Sequence, residues 1–228
     1  MGRRSHPRCA TEARYPREQA HDPALPAAGA ALPPNRAILG DLPAQPCPDI
    51  WARDFLPVTD PPLRPLYAFF IVALGTRRVV HVGVARHPTD AWVARQLREA
   101  TPCDERPRFL IRDNHGKYGP RFDRLAAASG SRVLRTPIRA PRADATCERF
   151  LGSVRRACLD HLLVLGEAHL RRVLRAYVAY FNRARPHQGI DQAVPAGSPA
   201  ADRQGASAGR VVAFPIVGGL HHDYRRVA

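Results

Sequence analysis

The sequence predicts an α/β protein in which helices flank a mixed sheet of five strands. Three observations indicate this class. Apolar runs rich in β-branched and aromatic residues, typical of buried strands, recur from about residue 49 onwards. Segments with the 3.6-residue period of amphipathic helices follow the third, fourth and fifth of these runs. In addition, 45% of all residues are hydrophobic, which is enough to bury a core.

The first three strands are expected to form an antiparallel meander. They are the runs IWARDFLPV, LYAFFIVAL and RRVVHVGVA, which begin at residues 50, 66 and 77. The Pro-rich segment TDPPLRP separates the first two runs, and only Gly75 and Thr76 separate the second from the third. So short a connection indicates a β-hairpin.

Helices and two further strands are expected to alternate after the meander. HPTDAWVARQLREA predicts a helix with Thr89 or Asp90 as its N-cap. FLIRD is the fourth strand, RFDRLAAAS is a helix that ends at Gly130, and RVLRTPI is the fifth strand. Two long helices follow, ADATCERFLGSVRRACLDHLL and EAHLRRVLRAYVAYFNRAR. This order matches the mixed five-stranded sheet of the ribonuclease H-like fold.

The regions on either side of residues 49–195 are expected to lack a core of their own. Residues 1–48 contain nine prolines and no sustained period, which predicts disorder. Residues 196–209 are expected to form a flexible linker, and the tail 210–228 a short hairpin that turns at Gly218-Gly219. The N-terminus lacks the apolar stretch of a secretory signal, and no run of 18 apolar residues predicts a membrane span. A cytoplasmic protein without a membrane partner is expected.

The charge of the chain indicates a polyanionic partner. The formal net charge is +15, from 35 basic and 20 acidic residues, and nucleic acid is the commonest partner of so basic a protein. All but one of the basic residues are arginine, which we attribute to codon bias, and Lys117 is the exception. The five cysteines form no C-x-x-C pair, which argues against a disulfide framework and a structural zinc site.

Three carboxylates fall where the predicted elements can bring them together. Asp54 lies in the middle of the first strand, where a charge is costly unless it is paired. Asp113 ends the fourth strand, and Glu148 lies near the start of the following long helix. Converging carboxylates repel one another unless a cation is present. Their oxygen ligands favour Mg²⁺ or Mn²⁺, and two such ions form the clamp for in-line phosphoryl displacement.

The helix that carries Glu148 is expected to bury one stripe and to show a basic face beside it. The stripe is Cys147, Leu151, Val154, Cys158 and Leu162, which makes both cysteines core residues rather than nucleophiles. The adjoining face begins with Glu148 and continues with Arg155 and Arg156, an arrangement that suits a phosphodiester passing along the helix. A solvated face without function is the alternative interpretation.

Four segments, in order, resemble the integrase core of the DDE superfamily, the retroviral-integrase-like transposases of bacterial insertion sequences. WARDFLPV resembles the W-A-x-D-F segment of that family, and IRDNHGKYGPRF resembles the segment around its second acid. PRADATCERFLGSVRRACLDHL resembles the segment of the third acid, and YFNRARPHQGI resembles Y-N-x-x-R-P-H-x-x-L. The resemblance covers roughly residues 50–195, and 34 residues separate Asp113 from Glu148, close to the family's spacing.

The resemblance implies a polynucleotidyl transferase that cleaves DNA at a 3′ end and joins that end to target DNA. It implies that Asp54, Asp113 and Glu148 are catalytic and hold two Mg²⁺ or Mn²⁺ ions. DNA contacts are expected along the same surface, and DNA and further copies of the chain, in a homo-oligomer, are the expected partners. The residues expected to contact DNA are Asn114, Lys117, Arg142, Arg149, Arg155 and Arg156.

The sequence also departs from the family pattern. Residues 1–48 resemble neither a helix-turn-helix nor a His-His-Cys-Cys zinc module, and His115 interrupts the turn after Asp113. These departures predict a truncated copy with reduced activity. Two alternatives therefore stay open at this point: a ribonuclease H-like nuclease without strand transfer, and an inactive DNA-binding remnant.

Overall fold

The computed structural model describes residues 49–101, 106–112, 119–135, 145–197 and 209–227. These residues form seven strands and four α-helices. In chain order they are β1 Ile50–Thr59, β2 Pro65–Ala73, β3 Val79–Ala85, α1 Asp90–Ala100, β4 Phe109–Arg112, α2 Pro120–Ala128, β5 Arg132–Arg135, α3 Ala145–Ala157, α4 Glu167–Arg183, β6 Arg210–Ile216 and β7 His221–Val227. The predicted disordered segment, residues 1–48, lies outside the described residues. So does most of the predicted linker 196–209, of which only residues 196, 197 and 209 are described.

The five strands β1 to β5 form one mixed sheet in the order β3-β2-β1-β4-β5. β1 to β3 are the predicted antiparallel meander, with Trp51 opposite Ala73 and Thr59 opposite Pro65 at the two ends of the β1–β2 ladder. β4 lies parallel to β1 and β5 lies parallel to β4. This mixed sheet with its flanking helices confirms the predicted ribonuclease H-like fold.

The alternation of side chains along β1 divides the core into two layers. Ile50, Ala52 and Leu56 pack with the apolar faces of α3 and α4. Trp51 and Phe55 point to the other face of the sheet, where they pack with α1 and α2. Because successive side chains of a strand point to opposite faces, a given residue of β1 can serve only one of these layers.

Pro57 lies near the end of β1, opposite Tyr67 of β2. Proline cannot donate to a ladder, so it is found where one edge of a strand is not paired. β4 pairs with β1 only at residues 50–52, and within the described residues no other strand reaches the β4 side of β1 at Pro57. This short pairing explains how the central strand of the sheet contains a proline.

α3 is shorter than its sequence pattern predicts. It ends at Ala157, and Leu159–His161 form a single 3₁₀ turn instead of continuing the predicted helix to Leu163. The ring of His161 lies 2.9 Å from the carbonyl oxygen of Arg156, so this carbonyl finds a partner without a further helical turn. Cys147 and Cys158 are fully buried as expected, and burial raises the pKa of Cys158 to about 11.

α4 is fastened to β3 at both of its ends. Near its start, an Nη2 atom of Arg171 donates to the carbonyl oxygen of Val84 at 3.0 Å. Near its end, the Asn182 side chain bonds both backbone groups of Val79, accepting from its N–H at 2.9 Å and donating to its carbonyl oxygen at 2.8 Å. The Asn of the YFNRARPHQGI segment therefore holds the helix against the sheet.

β6 and β7 form an antiparallel hairpin whose turn contains Gly218 and Gly219, both with positive φ. His221 connects this hairpin to the helices. Its ring stacks on Tyr180 of α4 with centroids 4.8 Å apart, and its Nε2 lies 2.7 Å from the carbonyl oxygen of Ala157 at the end of α3.

Asp60 ties the turn between β1 and β2 to the end of β3. It is buried, and its carboxylate accepts from the backbone N–H of Arg64 at 2.8 Å and from Nη2 of Arg86 at 2.6 Å. Burial opposes ionisation of Asp60, but the hydrogen bonds from Arg86 and Arg64 outweigh it and hold the pKa of Asp60 below its ordinary value of 3.8.

We expect Asp60→Asn to lower the melting temperature at neutral pH. A carboxyl group whose pKa is depressed in the folded state stabilises the fold above its unfolded pKa and loses that effect as the pH falls through the folded pKa. The difference in melting temperature between wild type and variant should therefore be constant above about pH 5 and shrink below about pH 4. Thermal unfolding followed by circular dichroism measures this difference. Asp160→Asn, at an exposed acid, is the control, and an equal pH dependence in both variants would contradict the assignment.

Candidate active site

Asp54 lies in the middle of β1, on the face of the sheet that α3 and α4 cover. It is half-buried, and one of its carboxylate oxygens accepts from the backbone N–H of Phe55 at 2.6 Å. Its neighbours in the same face of the strand, Ala52 and Leu56, are core residues. On β2 it stands opposite Phe70. The strand thus presents one carboxylate within an otherwise apolar surface.

Glu148 lies in the first turn of α3 and is exposed. Two contacts place this helix on the Asp54 side of the sheet. The ring of Phe150 packs edge-on against Phe70, the residue opposite Asp54, with centroids 5.1 Å apart. Further along the helix, Nη2 of Arg155 donates to the carbonyl oxygen of Pro57 in β1 at 3.2 Å. Asp54 and Glu148 therefore belong to the same layer of the molecule.

The other predicted site residues divide into two groups. Asp113, Asn114, Lys117 and Arg142 lie outside the described residues. The strand that leads to Asp113 is β4, which ends at Arg112 beside β1. Arg149, Arg155 and Arg156 are described, and all three are exposed on α3. Within the described ranges, no three His, Cys, Asp or Glu side chains come together as a metal centre would require.

Two buried arginines next to the predicted acids are not among the residues that the sequence patterns indicate. Arg53 is fully buried, and its Cζ lies 3.4 Å from the centre of the Phe122 ring in α2. Arg112 is also buried, and its Nη2 donates to Oδ2 of Asp123 at 2.9 Å. Each arginine precedes a predicted acid and contacts α2, so both hold α2 against the sheet. The signal that could have found them is the same one that indicates Asp54, a charged residue within an apolar strand.

Asp90 fixes the start of α2, although it belongs to α1. Its carboxylate accepts from the backbone N–H groups of Gly119 and Phe122 at 3.0 Å and from that of Arg121 at 2.9 Å. Thr89 is the N-cap of α1 itself. A Cβ atom at Gly119 would lie 2.5 Å from Oδ2 of Asp90, so this approach requires glycine. Because α2 begins directly after residues 113–118, Asp90 anchors the chain that follows Asp113.

None of the helices in the described part of the chain is both long and apolar enough to cross a membrane.

Comparison with known proteins supports the resemblance seen in the motifs. The family described as "Integrase core domain" matches residues 129–195, a stretch that includes Glu148 and the YFNRARPHQGI segment. The chain is 27% identical over 161 residues to an insertion element IS407 uncharacterized 31.7 kDa protein of Burkholderia multivorans, covering 70% of this chain and 58% of that protein. It is also 27% identical over 149 residues to an insertion element IS476 uncharacterized 39.2 kDa protein of Xanthomonas euvesicatoria, covering 65% of this chain and 43% of that protein. The chain thus spans about half the length of these relatives.

Solved structures agree with the fold. A chain of the simian T-cell lymphotropic virus intasome, solved in complex with PP2A regulatory subunit B56 gamma, aligns with a TM-score of 0.53 at 16% identity, over 77% of this chain and 65% of that one. The HTLV-2 integrase catalytic core domain, solved as a dimer with magnesium, aligns with a TM-score of 0.51 at 14% identity, over 64% of this chain and 93% of that one. The predicted resemblance to integrase-core transposases of bacterial insertion sequences is confirmed.

We expect Asp90→Ala to lower the free energy of unfolding by about 1–3 kcal/mol, because three backbone donors at the start of α2 lose their acceptor. Chemical denaturation measures this loss. Asp90→Asn keeps one side-chain acceptor and should lose less. An unchanged stability of Asp90→Ala would show that solvent satisfies these donors equally well.

Proposed function

We propose that the chain is the catalytic core of a DNA transposase, which cleaves the 3′ end of a mobile element and transfers that end to target DNA. The observation that carries this proposal is the placement of Asp54 and Glu148 in one layer, on β1 and on α3 above it. The strand beside β1 leads directly to Asp113. The stretch that matches the integrase core family contains Glu148, and the motif resemblance implies Asp54 and Asp113 as its partners.

The donors suit the ions that the family implies. Asp54, Asp113 and Glu148 offer carboxylate oxygens, which are the ligands that Mg²⁺ and Mn²⁺ prefer. Two such ions, when bound, activate the attacking oxygen and stabilise the leaving oxygen of an in-line displacement. The hydrogen bond from Phe55 restrains the Asp54 carboxylate, and the buried strand around it restrains its backbone. Asp54 is therefore held by a rigid strand rather than by a loop.

The reaction would proceed in two displacements at phosphorus. In the first, the oxygen of water bonds to phosphorus as the bond between phosphorus and the 3′ oxygen breaks, and the 3′ oxygen takes up a proton that the water loses, which leaves a 3′-hydroxyl and a 5′-phosphate. In the second, that 3′-hydroxyl bonds to a target phosphorus as the target's own 3′ oxygen leaves, taking up the proton. Neither step requires a covalent bond to the protein.

The DNA contacts in this proposal follow α3 and the segments around it. Arg149, Arg155 and Arg156 stand exposed on the helix that carries Glu148, where guanidinium groups can bond phosphate oxygens. Asn114, Lys117 and Arg142 would add contacts beside Asp113. The HTLV-2 integrase catalytic core domain, which has a similar fold, was solved in a dimeric form, and we propose a homo-oligomer of this chain on DNA.

A duplex with a pre-cut 3′ end and a labelled strand tests the proposal. Wild type with Mg²⁺ or Mn²⁺ should give joined products longer than the substrate. Asp54→Asn, Asp113→Asn and Glu148→Gln should each reduce joining by about two to three orders of magnitude, because each removes a charge that the reaction centre needs. Glu99→Gln, at an exposed acid of α1 on the other face of the sheet, is the matched control.

The two alternatives give different results in the same experiment. Cleavage of an uncut end without joined product would indicate a ribonuclease H-like nuclease. A protein that neither cleaves nor joins, and whose melting temperature Mn²⁺ does not raise, would be an inactive DNA-binding remnant. Under the proposal, Mn²⁺ raises the melting temperature of wild type and has a smaller effect on Asp54→Asn.

A further inference from the structure

A second polar site lies in the layer of α3 and α4, beyond the predicted carboxylates. It is a pocket of about 580 Å³ between α3, the end of α4 with the segment after it, and the turn between β2 and β3. Three arginines from these separate parts of the chain line it, and we call it the arginine pocket. Its lining is Val72, Arg77, Thr146, Arg149, Phe150, Ser153, Phe181, Arg185, Pro186, His187, Gln188 and Gly189.

Among the described residues, the lining of the pocket concentrates positive charge and includes no acidic residue. In the described part of the chain, no carboxylate forms a salt bridge with Arg77, Arg149 or Arg185. Like charges that share a pocket repel one another unless an anion joins them. The lining therefore favours an anionic occupant.

Hydrogen bonds orient the guanidinium groups of Arg185 and Arg149 and leave other N–H donors of each group available for a ligand. Nη1 of Arg185 donates to the hydroxyl of Tyr177 at 2.9 Å, and burial raises the pKa of that tyrosine to about 12, so the hydroxyl stays protonated. Nε of Arg149 donates to the carbonyl oxygen of Ala145 at 3.0 Å. Since a guanidinium has five N–H donors, one hydrogen bond each within the described residues leaves most of the donors of Arg149 and Arg185 available.

Arg77 reaches the pocket through two local features. Its backbone lies in the left-handed region with φ of 61°, which is uncommon for a residue with a side chain. A Cβ atom at Gly189 would lie 2.1 Å from Nη2 of Arg77, so the guanidinium occupies the space that glycine leaves open. The Arg77 guanidinium therefore packs directly against Gly189, in the segment 186–189 that lines the pocket.

Helical geometry separates the arginine pocket from the carboxylates. Thr146, Arg149 and Ser153 recur at intervals of three and four residues on one flank of α3 and line the pocket. Glu148 and Arg155 lie on the other flank, where Arg155 contacts β1. At 100° per residue the two flanks stand on opposite sides of the buried stripe. A ligand in the pocket would lie beside the carboxylate site, not in it.

The remaining lining suits a phosphodiester rather than a simple ion. Thr146, Ser153 and Gln188 add hydrogen-bonding groups, and Phe150, Phe181 and Val72 form apolar surface. Burial lowers the pKa of His187, its hydrogen bond with the carbonyl oxygen of Phe181 opposes that shift, and the charges of Arg185 and Arg77 lower the pKa further. Arginine forks match phosphate oxygens, while apolar groups contact the sugar between them.

We propose that the arginine pocket binds the phosphodiester backbone of double-stranded DNA as a site separate from the carboxylates. This inference rests on the proposed function in one respect, that DNA is the substrate. It adds Arg77 and Arg185 to the residues proposed to contact DNA. It also places Arg149 in the arginine pocket, whereas Arg155 lies on the flank of α3 that carries Glu148. The pocket holds the DNA beside the reaction centre and takes no part in the chemistry.

Binding without metal tests this inference apart from the proposed function. The full chain is titrated with a short fluorescein-labelled duplex in EDTA, and anisotropy gives the affinity. Ser153→Asp places a negative charge in the pocket and should weaken binding by about tenfold or more, whereas Ser153→Asn, which matches Asp in size but carries no charge, should weaken binding much less. Asp54→Asn should bind at least as tightly as wild type, because it removes a charge that repels DNA.

Charge-matched triple variants distinguish the pocket from bulk charge. The variant Arg77→Ala/Arg149→Ala/Arg185→Ala should depend less on salt than wild type. In a plot of the logarithm of the DNA association constant against the logarithm of the salt concentration, its slope should be less steep by about 1 for each phosphate contact that is lost. Arg95→Ala/Arg98→Ala/Arg124→Ala removes the same charge from exposed positions of α1 and α2 and should change the slope much less.

The inference is overturned if the two triple variants weaken binding equally, or if Ser153→Asp binds as tightly as Ser153→Asn. Circular dichroism checks the fold of each variant. Where the Arg77 triple variant fails to fold, the Ser153 pair decides the outcome alone, since Ser153 is only half-buried and tolerates a polar replacement. A protein that binds DNA through the pocket but never cleaves or joins it would sustain this inference while the proposed transferase activity fails.

Discussion

The pairing of β1 on both of its edges is the constraint on which the candidate site depends. β1 is hydrogen-bonded to β2 along its length and to β4 at residues 50–52, so its register decides which side chains meet each layer of helices. A shift of one residue would send Trp51 and Phe55 to the wrong layer together with Asp54. The apolar residues that fill both layers therefore also hold the carboxylate at its position. Within the described residues β4 pairs with β1 only at residues 50–52, and Asp54, two residues further along β1, is half-buried.

Much of the fold follows from patterns that are local in the sequence, and the exceptions share a physical cause. Strand alternation, the Gly75-Thr76 turn and the order of the elements were enough to predict the sheet. The cap of α1 illustrates the limit: a local pattern offers Thr89 or Asp90 for one helix, whereas the structure uses Thr89 there and gives Asp90 to the next helix. That contact joins residues about 30 positions apart, which no periodicity encodes. The end of α3 at Ala157 likewise depends on His161 folding back over the last turn.

The candidate site shows the same division. Asp54 and Glu148 could be proposed because a charge within an apolar strand and an acid at a helix start are visible in single segments. Arg53 and Arg112 are harder to predict because each is long enough to reach from the strand to α2, so its environment is set by a distant helix. The arginine pocket is further from local prediction, since Arg77, Arg149 and Arg185 meet only after β2, α3 and α4 have packed. In this layer α3 organises both features, with acid on one flank and pocket on the other.

The bond between Asn182 and Val79 has a consequence for how the protein behaves in solution. β3 is the outermost strand on its side of the sheet, and an outermost strand offers free backbone groups to which another chain can add. The Asn182 amide occupies the N–H and the carbonyl oxygen of Val79 in the way that a neighbouring strand would. A side chain of α4 thus covers the backbone groups of the edge strand at Val79, where another strand would otherwise pair. Loss of that amide would open a template for strand addition, so that aggregation would be its first visible effect.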